Sequence, residues 1–116
     1  MNSNVVFLGW NRAIAGKDQS SVQLFGEFTQ YLGGLQKAGT IRSFEAVLLD
    51  PHGGDLNGFF RIQGESSQLD ALTASEAWEG YLFRASLHLE GLGVVRGVTG
   101  DAAAAQLSRW QKLIAG

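Results

Sequence analysis

The sequence predicts an α+β domain, and three observations carry that expectation. Short apolar, β-branched and aromatic runs are interspersed with longer stretches whose apolar residues recur at spacings of three and four. Glycines, serines and threonines stand at the borders between these segments, where turns and helix caps need them. Two of the strand-like runs are joined by a turn-rich segment with no helical period in it, which makes them an antiparallel hairpin. With 116 residues, 45% hydrophobic and 17% charged, the chain fits one folded unit over 1–116.

Taken in order, Val5 to Trp10 is the first strand, a short run rich in Val and aromatic residues. Ser20 with Gln23 has capping-box spacing, and Leu24, Phe28, Tyr31, Leu32 and Leu35 then form one apolar helix face. Gly39 closes that helix, with Lys37 in its last turn where a cation suits the dipole. Ile41 to Leu49 and Gly58 to Gly64 are the hairpin strands, joined by Asp50-Pro51-His52-Gly53-Gly54-Asp55-Leu56-Asn57.

Ser66 or Ser67 caps a short helical segment carrying Leu69 and Leu72. Thr73 with Glu76 has capping-box spacing ahead of a helix whose face is Trp78, Tyr81, Leu82 and Ala85. Leu92 to Val98 is the last strand, in which Gly93 and Gly97 are expected to let a helix pack closely. A terminal helix over Ala102 to Ile114 carries the stripe Leu107, Trp110, Leu113 and Ile114.

The order β-α-β-β-α-β is that of a ferredoxin-like antiparallel sheet, here with an added C-terminal helix. Helices on one face leave the other face of such a sheet open, and a mostly apolar open face must be covered. A homodimer that presses the two open faces together is the expected solution.

Side chains alternate across a strand, so the hairpin register decides which residues reach that open face. One register segregates polar from apolar well. It sets Glu45 opposite Arg61, Ser43 opposite Gln63 and Val47 opposite Phe59, and leaves Phe44, Ala46 and Leu48 beside Ile62, Phe60 and Gly58 for the helices. The Glu45–Arg61 pair is then either a partly solvated ion pair worth about 0.2–1 kcal/mol, or the polar floor of a small-molecule cavity.

Elsewhere the chemistry is sparse. His52 beside Asp55 in the hairpin loop offers a base or a ligand, yet supplies too few donors for a metal site. Trp10 and Arg12 would share one side of the first strand if it stays extended, and together would hold an aromatic or anionic ligand. His88 at a helix C-terminus suits capping. Gly91-Leu92-Gly93-Val94-Val95-Arg96 fails as a dinucleotide fingerprint, because Arg96 takes the place of the third glycine.

There is no cysteine, and no motif calls for a metal or a cofactor. A net charge of −2, with the basic residues scattered, argues against nucleic acid. No apolar run approaches the length of a membrane span, and the amino terminus lacks a signal peptide's basic region, so the expected location is cytoplasmic.

The element order and the segment Gly58-Phe59-Phe60-Arg61-Ile62-Gln63-Gly64, followed by a Ser-Gln-Leu-Asp-Ala-Leu helix, resemble the dimeric α+β barrel superfamily, most closely its YCII-related branch. The resemblance implies a homodimer whose sheets face one another, often around a cavity. Members include cofactor-free monooxygenases, isomerases and haem enzymes. The first helix here has no histidine to match the His–Asp pair proposed as catalytic in YCII-type proteins, and the terminal helix extends beyond the minimal fold.

The expectation is therefore a dimer binding a small organic molecule over its open face, with Ser43, Glu45, Arg61, Gln63, Trp10, Arg12 and His52 as candidate site residues. The alternatives are a cofactor-independent oxygenase or isomerase, and a structural dimerisation module. Between binder and enzyme the residues do not decide.

Overall fold

The computed structural model describes residues 2–116; Met1, the first residue of the unit expected over 1–116, lies outside the described residues. The elements are β1 (Val5–Trp10), β2 (Arg12–Ala13), α1 (Asp18–Ala38), β3 (Ser43–Leu48), β4 (Gly58–Gln63), α2 (Ser66–Thr73), α3 (Glu76–His88), β5 (Leu89–Glu90), β6 (Gly93–Gly97) and α4 (Asp101–Ala115). Four strands form one antiparallel sheet in the order β3-β4-β1-β6. The short strands β2 and β5 make a separate ladder just beyond Trp10, where Asn11 interrupts the first strand.

The hairpin register is the one that segregates polar from apolar. Ser43 pairs with Gln63, Glu45 with Arg61 and Val47 with Phe59, while Phe44, Ala46 and Leu48 pair with Ile62, Phe60 and Gly58. A slip of one residue would turn Phe60 and Ile62, both at most 2% exposed, out of the core. On the covered side Val6, Leu8, Phe60 and Ile62 meet Phe28 and Leu32 of α1, Leu69 and Leu72 of α2, and Trp78 of α3. Tyr31, Leu35, Tyr81 and Leu82 pack around this core, completing the two predicted helix faces.

Several local expectations are corrected. The first main helix starts at Asp18 with Lys17 as N-cap, and the Ser20 hydroxyl donates to the Lys17 carbonyl, so Ser20 and Gln23 form no capping box. Thr73 ends α2, donating its hydroxyl to the Leu69 carbonyl; the cap of α3 is Ser75, whose Oγ accepts from the Trp78 amide at 3.2 Å. At α2 the N-cap is Glu65, whose amide donates to Gln68 Oε1. Gly93 and Gly97 share the side of β6 that carries Val95, away from the helices, with open space around Gly93. The helix-facing residues of β6 are Val94 and Arg96, and Arg96 is held by Ser3 and Asp70.

The amphipathic helix α4 is present, but its stripe is not buried. Leu107, Trp110, Leu113 and Ile114 are 48–85% exposed, and only Gln106 of this helix is buried.

Candidate functional site

The sheet presents two surfaces. Its uncovered front carries three rows of side chains across the four strands, read from the pairing. The middle row is Glu45, Arg61, Phe7 and Val95; the flanking rows are Ser43, Gln63, Val5 and Gly97, and Val47, Phe59, Gly9 and Gly93. Phe7 and Phe59 lie ring against ring with centroids 4.8 Å apart. Gly9 leaves room for them, since a Cβ there would stand 2.7 Å from the Phe7 ring.

Arg61 Nη2 approaches Glu45 Oε1 to 2.6 Å, with both side chains about half exposed, so the pair alone contributes little to stability. Ser43 donates its hydroxyl to Gln63 Oε1 at 3.0 Å. Arg61 Nε is buried without a hydrogen-bond partner. The front is thus an apolar diagonal of valines and phenylalanines with one polar corner, and Val95 on it is 59% exposed.

The opposite side holds a cavity of about 490 Å³ lined by residues of α1 and α3 and of the strands β1, β3 and β4. Its walls are largely aromatic: Trp10, Phe25, Phe28, Phe60 and Tyr81, with Leu8, Leu24, Leu82 and Ala85 between them. Trp10 packs edge-on to Phe25 at 6.2 Å and leans on Phe60 at 5.8 Å. The indole sits flush against Gly58, where a Cβ would come within 2.5 Å of Trp10 Cζ2. That close approach is the physical reason for a glycine at the start of the Gly-Phe-Phe strand.

Val22 and Leu48, both well exposed, stand at the mouth of the cavity, and Asp18 is the one charged residue lining it. A volume of this size falls in the range of ordinary small-molecule sites, which are apolar with a few placed polar groups.

A third, shallower hollow of about 390 Å³ is formed by Asn11, Arg12, the 51–55 loop and Asn57. His52 Nδ1 donates to the Asp50 carbonyl at 2.9 Å, so that nitrogen carries the proton in this arrangement. Arg12 Nε donates to Glu90 Oε2 at 2.8 Å, and this hydrogen bond, helped by the carboxylate's charge, raises the Arg12 pKa.

The predicted site residues therefore divide among three places. Ser43, Glu45, Arg61 and Gln63 come together on the front. Trp10 faces the helix-side cavity, while Arg12 and His52 line the loop hollow. Trp10 and Arg12 do not share a surface, because the strand breaks at Asn11 and Arg12 enters a different ladder. Among the described residues, no group of three or more His, Asp or Glu side chains is placed to hold a metal ion, and no helix is long and apolar enough to cross a membrane.

Sequence reasoning missed the cavity. Its signal was Phe25 with Ser21 and Val22, which widen the first turns of α1 beyond the Leu24–Phe28–Leu32 stripe that the core uses.

No family model matches this chain, and no curated protein matches it. Among solved structures it is similar to a crystal structure from Bacteroides fragilis described as a dimeric protein of unknown function and ferredoxin-like fold. The two share 12% identity over 82% of this chain and 95% of the other, with a TM-score of 0.59. At that identity the likeness shows the fold: an antiparallel four-stranded α+β sheet of ferredoxin-like type.

Proposed function

We propose that the chain forms a homodimer through the front of its sheet and binds a small, largely apolar organic molecule in the helix-side cavity of each protomer. The observation that carries the binding half is the aromatic-walled space of about 490 Å³, with Trp10 seated against Gly58 and a mouth open between Val22 and Leu48. Aromatic walls favour a flat ligand that stacks. A single carboxylate at the lining, Asp18, favours a neutral or cationic ligand over an anionic one. The lining supplies a carboxylate, a serine hydroxyl and a phenol, without an acid–base pair held in hydrogen-bonding reach, which suits a binder more than a catalyst.

The dimer half is supported by the uncovered Val5, Phe7, Val47, Phe59 and Val95 surface and by the dimeric state of the Bacteroides fragilis protein. In the arrangement of a dimeric α+β barrel, that surface would be buried against its copy.

A second reading keeps the ligand on the front, in a chamber enclosed between two protomers over Glu45 and Arg61. It is favoured by Arg61 Nε, a buried donor with no acceptor of its own, since such groups ordinarily find one.

Titration with a neutral naphthalene-type fluorophore tests both. Wild-type protein is expected to bind one molecule per protomer and to quench Trp10 emission. Val22→Trp, at an exposed mouth position, should weaken binding at least about tenfold without changing the unfolding midpoint. Binding that survives Val22→Trp but vanishes in the Glu45→Ala, Arg61→Ala double variant would move the site to the front. No binding by any form would leave a structural dimerisation module.

A further inference from the structure

The helix-side cavity has a direction, set by the order of residues along α1. Asp18, Val22, Phe25 and Phe28 all line it, and their spacings of four, three and three put them in one row on the helix. At a rise of about 1.5 Å per residue the row is about 15 Å long. Exposure falls along it: Asp18 is exposed, Val22 is 72% exposed, Phe25 is half-buried and Phe28 is 6% exposed. At the inner end Phe25 and Phe28 both meet the Phe60 ring, with centroids 5.1 and 5.0 Å away. The cavity is therefore aromatic inside and charged at its lip.

The other polar groups of the lining do not compete with Asp18 for a charged ligand. The Ser21 hydroxyl already donates to the His88 carbonyl at 3.3 Å. The Tyr81 phenol is neutral and belongs to the inner end, where its ring lies 5.4 Å from Phe28. Asp18 itself enters no ion pair among the described residues. A carboxylate in the first turn of α1 also suits the helix dipole. That role involves no ligand, so a binding preference separates it from a cation-holding one.

We infer that the ligand of this cavity is an aromatic amine. Its flat ring system enters between Val22 and Leu48 and packs among Phe25, Phe28 and Phe60, while its ammonium group stays at the mouth beside Asp18. Burial of the ring supplies most of the affinity. The ammonium keeps part of its hydration at the lip, which avoids the cost of burying a charge, and gains the attraction of the carboxylate. This class rests on the helix-side binding reading above, and narrows it from a neutral or cationic molecule to one with a positive end.

Two probes of equal size test it by calorimetric titration: 2-naphthylmethylamine, cationic at neutral pH, and 2-naphthylmethanol, which is neutral. Wild-type protein should bind the amine about fivefold more tightly than the alcohol, the preference that a partly exposed ion pair supports. Raising the salt from about 0.02 M to about 0.5 M should shrink that preference by screening. Asp18→Asn, which keeps the size of the side chain, should bring the ratio close to one. Glu79→Gln, an exposed change on α3 outside the lining, should keep the wild-type ratio and so exclude an effect of net charge.

Equal binding of both probes by wild-type protein, or tighter binding of the alcohol, overturns the amine and leaves the cavity as a site for neutral molecules. A preference for the amine that persists in Asp18→Asn overturns the carboxylate's part in it. Binding of neither probe removes the cavity reading together with this one.

Discussion

At the scale of single residues, contacts set by glycine decide how both sheet faces are used. Trp10 can turn its ring into the helix-side cavity because Gly58 has no side chain to displace it. Gly58→Ala forces the indole off its seat, with a cost of about 1–3 kcal/mol expected from overpacking. The check is a lower denaturation midpoint together with shifted Trp10 emission, read in a Trp78→Phe, Trp110→Phe background. Trp78 itself is 2% exposed and touches Phe28 at 5.8 Å, so Trp78→Ala should cost about 3–5 kcal/mol. Both residues sit in apolar patterns visible in the sequence. Only the register puts Gly58 under the indole, which is why the glycine's purpose could not be read from its neighbours in the chain.

At the scale of elements, the helix faces were legible and the helix starts were not. Leu24, Phe28 and Leu32, and Trp78 and Ala85, are buried as their spacing predicts, because a periodic stripe follows directly from helix geometry. Caps depend on which of several nearby hydroxyls reaches a free amide, and the chain offers Ser20, Ser21, Thr73 and Ser75 in competition. The structure gives the test. Ser75→Ala should cost about 1 kcal/mol, and Ser20→Ala should stay within about 0.5 kcal/mol of wild type, as measured by urea unfolding. A larger loss at Ser20 than at Ser75 would contradict the observed caps.

For the molecule as a whole, the unsolved packing lies on the outside. A four-stranded sheet with helices on one side leaves Phe7, Phe59, Val47 and Val95 without a cover, and the helix α4 leaves a second stripe in water. Val95→Asp places a charge on the edge strand of the front, at the β6 end of its middle row, on a side chain already 59% exposed in the protomer. It should leave the circular dichroism spectrum unchanged and weaken dimerisation at least about a hundredfold, by burying an unpaired carboxylate. Light scattering across a concentration series checks it, and an undiminished dimer would place the interface elsewhere.

Much of this architecture was written into the order of residues. Alternation along two strands selected the hairpin register, and with it the Glu45–Arg61 and Ser43–Gln63 neighbours, because the wrong register would bury charge and expose phenylalanine. The antiparallel α+β plan and the amphipathic terminal helix followed from periods of two and near four in the same way. What tertiary structure alone decided was where surfaces end. The break at Asn11 parted Trp10 from Arg12, the placement of α1 and α3 over the strands left the aromatic-walled cavity, and Gly100 set the conformation from which α4 starts. Periodicity tells a side chain which face of its element it occupies, but the space beyond that face depends on distances between elements far apart in the chain.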